Sequence, residues 1–163
     1  MYQAAIITAS DKGASGQRRD ESGALVRQML EEAGYIIHTQ LLLPDEQKQL
    51  AEAMRRLCDQ EAVALIITTG GTGFSPRDVT PEATLEVVER LTPGLTEAMR
   101  WSSLEITKRA MLSRAVAGIR RQTLIINLPG SPKAAAENLA VVLPELAHGL
   151  AVLRGESGEC ARP

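Results

Sequence analysis

Residues 68–84, TTGGTGFSPRDVTPEAT, place three glycines, a set of threonines and an aspartate directly after the apolar run 62–67. Glycines let backbone N–H groups turn toward an anion with no side chain in the way, and a helix entered just afterwards adds a favourable dipole. Thr69 and Thr72 would add hydroxyl donors. The string is not a P-loop, because no Gly-Lys-Ser/Thr follows, and it fails the dinucleotide fingerprint, because Pro76 stands where the third glycine belongs. The glycines alone equally fit a tight strand-to-helix turn. Asp78 shifts the balance toward chemistry: a carboxylate among phosphate-binding donors is costly beside a polyanion unless a cation lies between them, which points to Mg²⁺. Asp45, in the PDEQ segment, is placed to reach the same site, or to cap the helix that EQKQL begins. Pro129, Gly130 and Ser131, followed by Lys133, form a second donor-rich helix entry. Asp11 and Asp20, with Arg18 and Arg19, also fit a merely solvated loop.

A frame must gather these residues. The chain has 163 residues, 44% hydrophobic and 23% charged, the size and balance of one globular domain. A net charge of −2 gives no basic field, which argues against nucleic acid or a membrane surface as partner and leaves a small molecule. No apolar run approaches the length of a membrane span, and MYQAAIITASDKG has no signal-peptide form, so a cytoplasmic location is expected. Cys58 falls on the apolar face of a helical pattern and reads as core; Cys160, His38 and His148 stand alone, without the second member a metal or catalytic constellation needs.

Short apolar runs alternate with helical patterns, which predicts an α/β three-layer sandwich with a mostly parallel sheet and helices on both faces. Strands are expected at 4–9, 35–43 and 62–68. Leu25, Val26, Met29, Leu30 and Ala33 mark one helix, stopped by Gly34, and Leu50, Met54, Leu57 and Cys58 mark another. Thr80-Pro81, Thr92-Pro93 and Ser131-Pro132 read as hydroxyl N-caps with proline at the first helical position, and Pro144 is expected to break or restart the last helix. Strands 115–119 and 123–127, joined at Arg120-Arg121, predict an antiparallel edge element. A single domain over 1–154 and a disordered tail at 155–163 complete the expectation. In such a sheet ligands bind beyond the carboxyl ends of the strands, where the loops carrying Asp11, Asp45, Asp78 and Ser131 would all open.

The segment TTGGTGFSPRDVTPEAT, with LPDEQ before it and MLSRAVAGIRRQTLIINLPGSPKAAAENL after it, resembles the molybdopterin adenylyltransferase family, of MogA/MoaB type and related to the G domains of gephyrin-like proteins. The resemblance runs over about residues 4–153, although the chain lacks the C-terminal extension of some MogA-type members. It implies a Mg²⁺-dependent reaction in which ATP and molybdopterin give adenylylated molybdopterin and pyrophosphate. It implies catalytic and metal roles for Asp45 and Asp78. Ser10, Asp11, Thr69, Gly70, Gly71, Thr72, Gly73, Pro129, Gly130 and Ser131 are implied at the nucleotide and pterin sites. It further implies a homotrimer or hexamer and hand-over to a molybdenum-insertion enzyme. For self-association the apolar residues of 92–112, including Trp101, are candidates, as they are for core. The alternative within the family is a non-catalytic MoaB-like pterin-binding carrier or assembly module; another magnesium-dependent nucleotidyl-transfer or phosphate enzyme is the alternative on the same fold.

Overall fold

The computed structural model describes residues 1–156. Strands β1 (Gln3–Ala9), β2 (Ile36–Leu43), β3 (Leu65–Thr69), β4 (Arg90–Leu91), β5 (Ala117–Arg120) and β6 (Thr123–Leu128) form one sheet in the order β2-β1-β3-β6-β5-β4. The first four in that order run parallel; β5 turns back antiparallel on β6, and β4 pairs antiparallel with β5. The helices are α1 (Asp11–Ala14), α2 (Glu21–Glu32), α3 (Gln47–Asp59), α4 (Thr80–Val87), α5 (Pro93–Leu104) and α6 (Pro132–Leu153), with a 3-10 turn at Lys108–Leu112.

Alternation along the central strands divides the core in two, because successive side chains leave a strand on opposite faces. Ile6, Leu65, Ile67, Leu124 and Ile126 meet Val26 and Leu30 of α2, Met99 of α5 and the stripe Leu139, Val142, Leu146 and Leu150 of α6. Ile7, Ile66 and Ile125 meet Leu50, Met54 and Leu57 of α3 and Ala83 and Val87 of α4. The three-layer expectation holds. Cys58 belongs to the second cluster, and burial pushes its thiol up to about 11, as expected of core filler.

Several local expectations are corrected. The left-handed backbone of Ala62, at φ 50°, takes the chain through a turn, so β3 starts only at Leu65. Thr80 is not the cap of α4: Val79 holds that position, and the Thr80 hydroxyl is buried without a partner among the described residues. Thr92 precedes α5 as expected but makes no side-chain capping bond, whereas Ser131 does cap α6, accepting from Ala134 N at 3.2 Å. Pro144 neither breaks nor restarts α6, which runs through it. Both Pro144 and Ala140, whose carbonyl loses its i+4 donor, are exposed residues, so the lost bond falls on the side of the helix open to solvent. By length and mean hydropathy, 1.3, α6 passes for a membrane span, although Glu137 and Glu145 interrupt its apolar runs. Its stripe Leu139, Val142, Leu146 and Leu150 packs in the core with the sheet and α2, and 28% of the apolar window is buried in all. Of the segment 155–163, Gly155 and Glu156 are described, and Glu156 accepts a hydrogen bond from Tyr2 Oη at 2.7 Å; the expectation for the remainder lies outside the described residues.

One buried polar side chain ties three elements beneath the carboxyl edge of the sheet. Asn127 of β6 donates to Thr68 Oγ1 of β3 and Thr84 Oγ1 of α4, each at 2.9 Å, and its Oδ1 accepts from Val116 N at 3.0 Å. Asn127→Ala should lower unfolding stability by about 2–4 kcal/mol, because it strands several buried partners at once. Urea denaturation measures this, and a loss below about 1 kcal/mol would mean that water replaces the amide.

Candidate active site

Because β1, β2, β3 and β6 are parallel, the loops that follow them open at one edge, around a cavity of about 630 Å³. Ser10 comes to it from β1, Asp45 from β2, Gly70, Gly71 and Asp78 from β3, and Gly130 and Ser131 from β6. These residues, spread over 122 positions of sequence from 10 to 131, are gathered by strand direction alone.

The glycines first serve packing. Gly70 and Gly71 have φ of 86° and 65°, in the left-handed region that other residues rarely adopt. A Cβ on Gly70 would strike the carbonyl of Ala9, one on Gly71 would strike Thr80 Oγ1 and lie 3.2 Å from Asp45 Oδ1, and one on Gly130 would lie 3.2 Å from Gly70 Cα. The turn therefore needs glycine whether or not an anion binds. The same lack of side chains brings Asp45 against the backbone of the β3 loop.

Asp45 does not cap α3; Glu46 precedes that helix and makes no side-chain cap. Instead Asp45 and Asp11 clasp each other: Asp11 N donates to Asp45 Oδ2 at 2.9 Å, and Asp45 N donates to Asp11 Oδ1 at 3.0 Å. Arg77 then straps three loops together, donating through Nε and Nη2 to the two Asp11 oxygens at 3.0 Å each and through Nη2 to Glu46 at 3.0 Å. The guanidinium, with the Asp45 backbone, holds the Asp11 carboxyl below its usual range. Asp45 goes the other way. Burial pushes its carboxyl up, the Asp11 backbone bond opposes this, and the charges of Asp11 and Asp78 add to the rise against Arg77. Asp11 is thus a positioning residue, paired although its side chain is 43% exposed, and it does not itself line the cavity.

Asp78 lies at the end of an exposed loop whose shape is set internally and from outside. Its Oδ2 accepts from Ser75 N at 2.9 Å. Arg114 closes the loop, donating from Nε to Gly73 O at 2.7 Å and from Nη2 to Asp78 O at 2.8 Å, while its Nη1 pairs with Glu82 and its backbone N donates to Thr72 O at 2.9 Å. Nothing local in the sequence singles out Arg114, which lies more than thirty positions from the groups it joins.

Other expected donors are engaged within the fold or line a neighbouring cavity. The Thr69 hydroxyl is buried in a network with Ser22 at 3.0 Å and Thr8 at 3.3 Å, below the cavity. Thr72, Gly73 and Pro129 line a neighbouring cavity of about 460 Å³, which shares Ser131 with the first. The Ser10 hydroxyl accepts from Gly13 N at 3.0 Å, capping α1. Asp20 caps α2 through Gly23 N at 2.8 Å and accepts from Thr8 Oγ1 at 2.7 Å, so it also is no free acid. Trp101 is 74% exposed, which removes the core alternative for it, and Ile106 and Met111 are exposed as well.

Among the described residues no three His, Cys, Asp or Glu groups come together as a metal cage. Asp45 and Asp78, on one cavity with their charges repelling, nevertheless fit Mg²⁺, which takes one or two carboxylates and completes its shell with water and substrate phosphates.

Residues 5–148 match the family described as "Probable molybdopterin binding domain". The chain belongs to that family. It is 38% identical to a molybdopterin adenylyltransferase of Helicobacter pylori, over 92% of the chain and 86% of the relative, and 40% identical to that of Escherichia coli, over 92% and 77%. It is 43% identical to gephyrin of Dictyostelium discoideum over 93% of the chain, but spans only 22% of that protein. Among solved structures the MoaB molybdopterin biosynthesis enzyme of Thermus thermophilus superposes with a TM-score of 0.91 at 45% identity, covering 98% of this chain and all of that one.

The raised Asp45 carboxyl has a consequence for stability. A proton binds Asp45 more tightly in the folded chain than in the unfolded one, so the ionised group costs stability as pH rises above its unfolded value near 3.8. Asp45→Asn keeps an acceptor for Asp11 N and should melt higher than the unaltered protein at pH 7, with the difference vanishing below about pH 3.8. Thermal melts between pH 3 and 8 decide it; a lower melting temperature at pH 7 would mean that the charge contributes more through hydrogen bonds than it loses by burial.

Proposed function

We propose that the protein is a molybdopterin adenylyltransferase acting in molybdenum cofactor biosynthesis, transferring AMP from ATP to the terminal phosphate of molybdopterin with Mg²⁺. The carrying observation is the convergence of Asp45 and Asp78 on one cavity beside the Gly70-Gly71 turn, in a chain 38–40% identical to proteins named for that activity. An oxygen of the pterin phosphate attacks the α-phosphorus of ATP, the bond to the bridging oxygen of the β-phosphate breaks, and pyrophosphate leaves. The nucleophile is an ionised phosphate, so the chain needs no Ser-His or Cys-His pair. It must hold two anions in line and offset their charge.

Each residue has a part in that task. Asp45 and Asp78 would hold Mg²⁺, which when bound supplies neutralisation of the polyphosphate. Asp11 orients Asp45 through the backbone clasp, and Arg114 fixes the loop that presents Asp78. Gly70 and Gly71 leave the loop backbone open to the cavity. A pterin carrier would gain nothing from two acids beside a bound polyphosphate, which favours the catalytic reading over the MoaB-like carrier. A cytoplasmic homotrimer or hexamer that hands its product to a molybdenum-insertion enzyme completes the proposal. The exposure of the large apolar side chains Trp101, Ile106 and Met111 supports self-association. Light scattering should accordingly give a multiple of the 17.5 kDa chain mass, and a monomer at micromolar concentration would remove that part.

Asp78→Asn separates chemistry from loop structure. Asparagine retains an acceptor for Ser75 N, so folding and nucleotide binding should persist, while turnover falls on the order of a hundredfold, roughly 3 kcal/mol in the transition state. Pyrophosphate release from ATP and molybdopterin with Mg²⁺ is the readout. Near-normal turnover would take Asp78 out of the mechanism.

A further inference from the structure

The cavity holds a feature that the acids do not explain. Its basic lining, among the described residues, consists of two adjacent arginines, Arg18 and Arg19, on the loop between α1 and α2. The backbone of that loop is pinned on both sides. Arg18 N donates to Lys12 O at 3.1 Å, and the carboxylate of Asp20 is tied to Thr8, Ser22, Gly23 and Gln40. Yet among the described residues neither guanidinium has a hydrogen-bond or ion-pair partner. The contrast with the other arginines at this edge is chemical: Arg77 is committed to Asp11 and Glu46, and Arg114 to Glu82 and two carbonyls. Neighbouring acids do not absorb the charge either: Asp20 is spent on capping α2, Asp45 and Asp78 are placed for a cation, and Glu21, which also lines the cavity, makes no ion pair with either guanidinium.

We infer that Arg18 and Arg19 form an anion subsite for a phosphate monoester, the acceptor phosphate of the reaction. This rests on the adenylyl-transfer reading. Two anions must meet in one cavity, and they call for different counter-charges. The polyphosphate of the nucleotide carries its own divalent cation to the carboxylates. The acceptor is a metal-free dianion whose oxygen must reach the α-phosphorus, so side chains of the protein have to offset its repulsion from the nucleotide. Paired guanidinium groups suit that purpose because each offers a fork of donors matched to phosphate oxygens, and two like charges side by side are relieved by one doubly charged ligand. Gly130 and Ser131, at the amino end of the 22-residue helix α6, line the same cavity and favour negative charge there. The two arginines therefore confer selectivity for a phosphorylated acceptor over its dephosphorylated form.

The test compares the unaltered protein with a double variant, Arg18→Gln and Arg19→Gln, in steady-state pyrophosphate release. The KM for molybdopterin should rise at least about tenfold, as expected for two lost charge-assisted contacts, while the KM for MgATP stays within about threefold. A rise confined to MgATP would overturn the assignment and give the arginines to the nucleotide; unchanged constants for both substrates would overturn it as well. If the unaltered protein releases no pyrophosphate, the adenylyl-transfer reading fails, and the subsite is then judged without turnover. In calorimetry with inorganic phosphate, saturable binding that weakens at least about tenfold in the double variant supports the subsite, and equal binding or none in the unaltered protein refutes it.

Discussion

The reciprocal backbone clasp between Asp11 and Asp45 is the constraint on which the edge of this sheet turns. It joins the loops after two adjacent parallel strands, and it does so with carboxylates, so negative charge collects where the β3 loop also brings Asp78. That arrangement is electrostatically unfavourable by itself. The raised Asp45 carboxyl registers the cost, and Arg77, reaching Asp11 and Glu46 from the third loop, offsets part of it. What remains unneutralised is a carboxylate whose Oδ1 faces the Gly71 backbone, a local field that favours a cation.

Close approach of the strand ends follows from the same constraint. Asp45 can sit beside the β3 loop only because Gly71 has no side chain, and the β6 loop reaches the β3 loop only because Gly130 has none. Beneath this tight edge lies a polar floor unusual for the interior of an α/β sheet. Thr8, Ser22 and Thr69 share hydroxyl contacts, and Asn127 locks Thr68 to Thr84. Satisfied buried hydrogen bonds of this kind rigidify, so the cavity is floored by fixed groups while its rim is carried by loops. The rim has its own fastening in Arg114, which spans the Asp78 loop from Gly73 to Asp78 and anchors it to α4 through Glu82.

The sequence by itself determined the layers, the mostly parallel sense of the sheet with its antiparallel edge, and the loops that open together, but not the order of the strands. Those follow from hydrophobic period, which is local, and from the rule that parallel strands share a carboxyl edge. It also marked Asp45, Asp78 and the Gly70-Gly71 turn, since loop chemistry after a strand is readable from residue type. Only the tertiary structure decided how these side chains are used. Asp45 turned from a possible helix cap into half of a clasp because Asp11, 34 positions away, presents the competing donor. Thr69 turned inward because Ser22 and Thr8 offer partners below it, and Pro144 was tolerated where it and Ala140 lie on the exposed side of α6. Arg18 and Arg19 read alike with any solvated pair of charges until the fold left them facing the cavity while pairing Arg77 and Arg114 elsewhere. Periodicity depends on neighbours within a turn or a strand, whereas the partner of a polar group depends on distances between segments, and those exist only once the chain has packed.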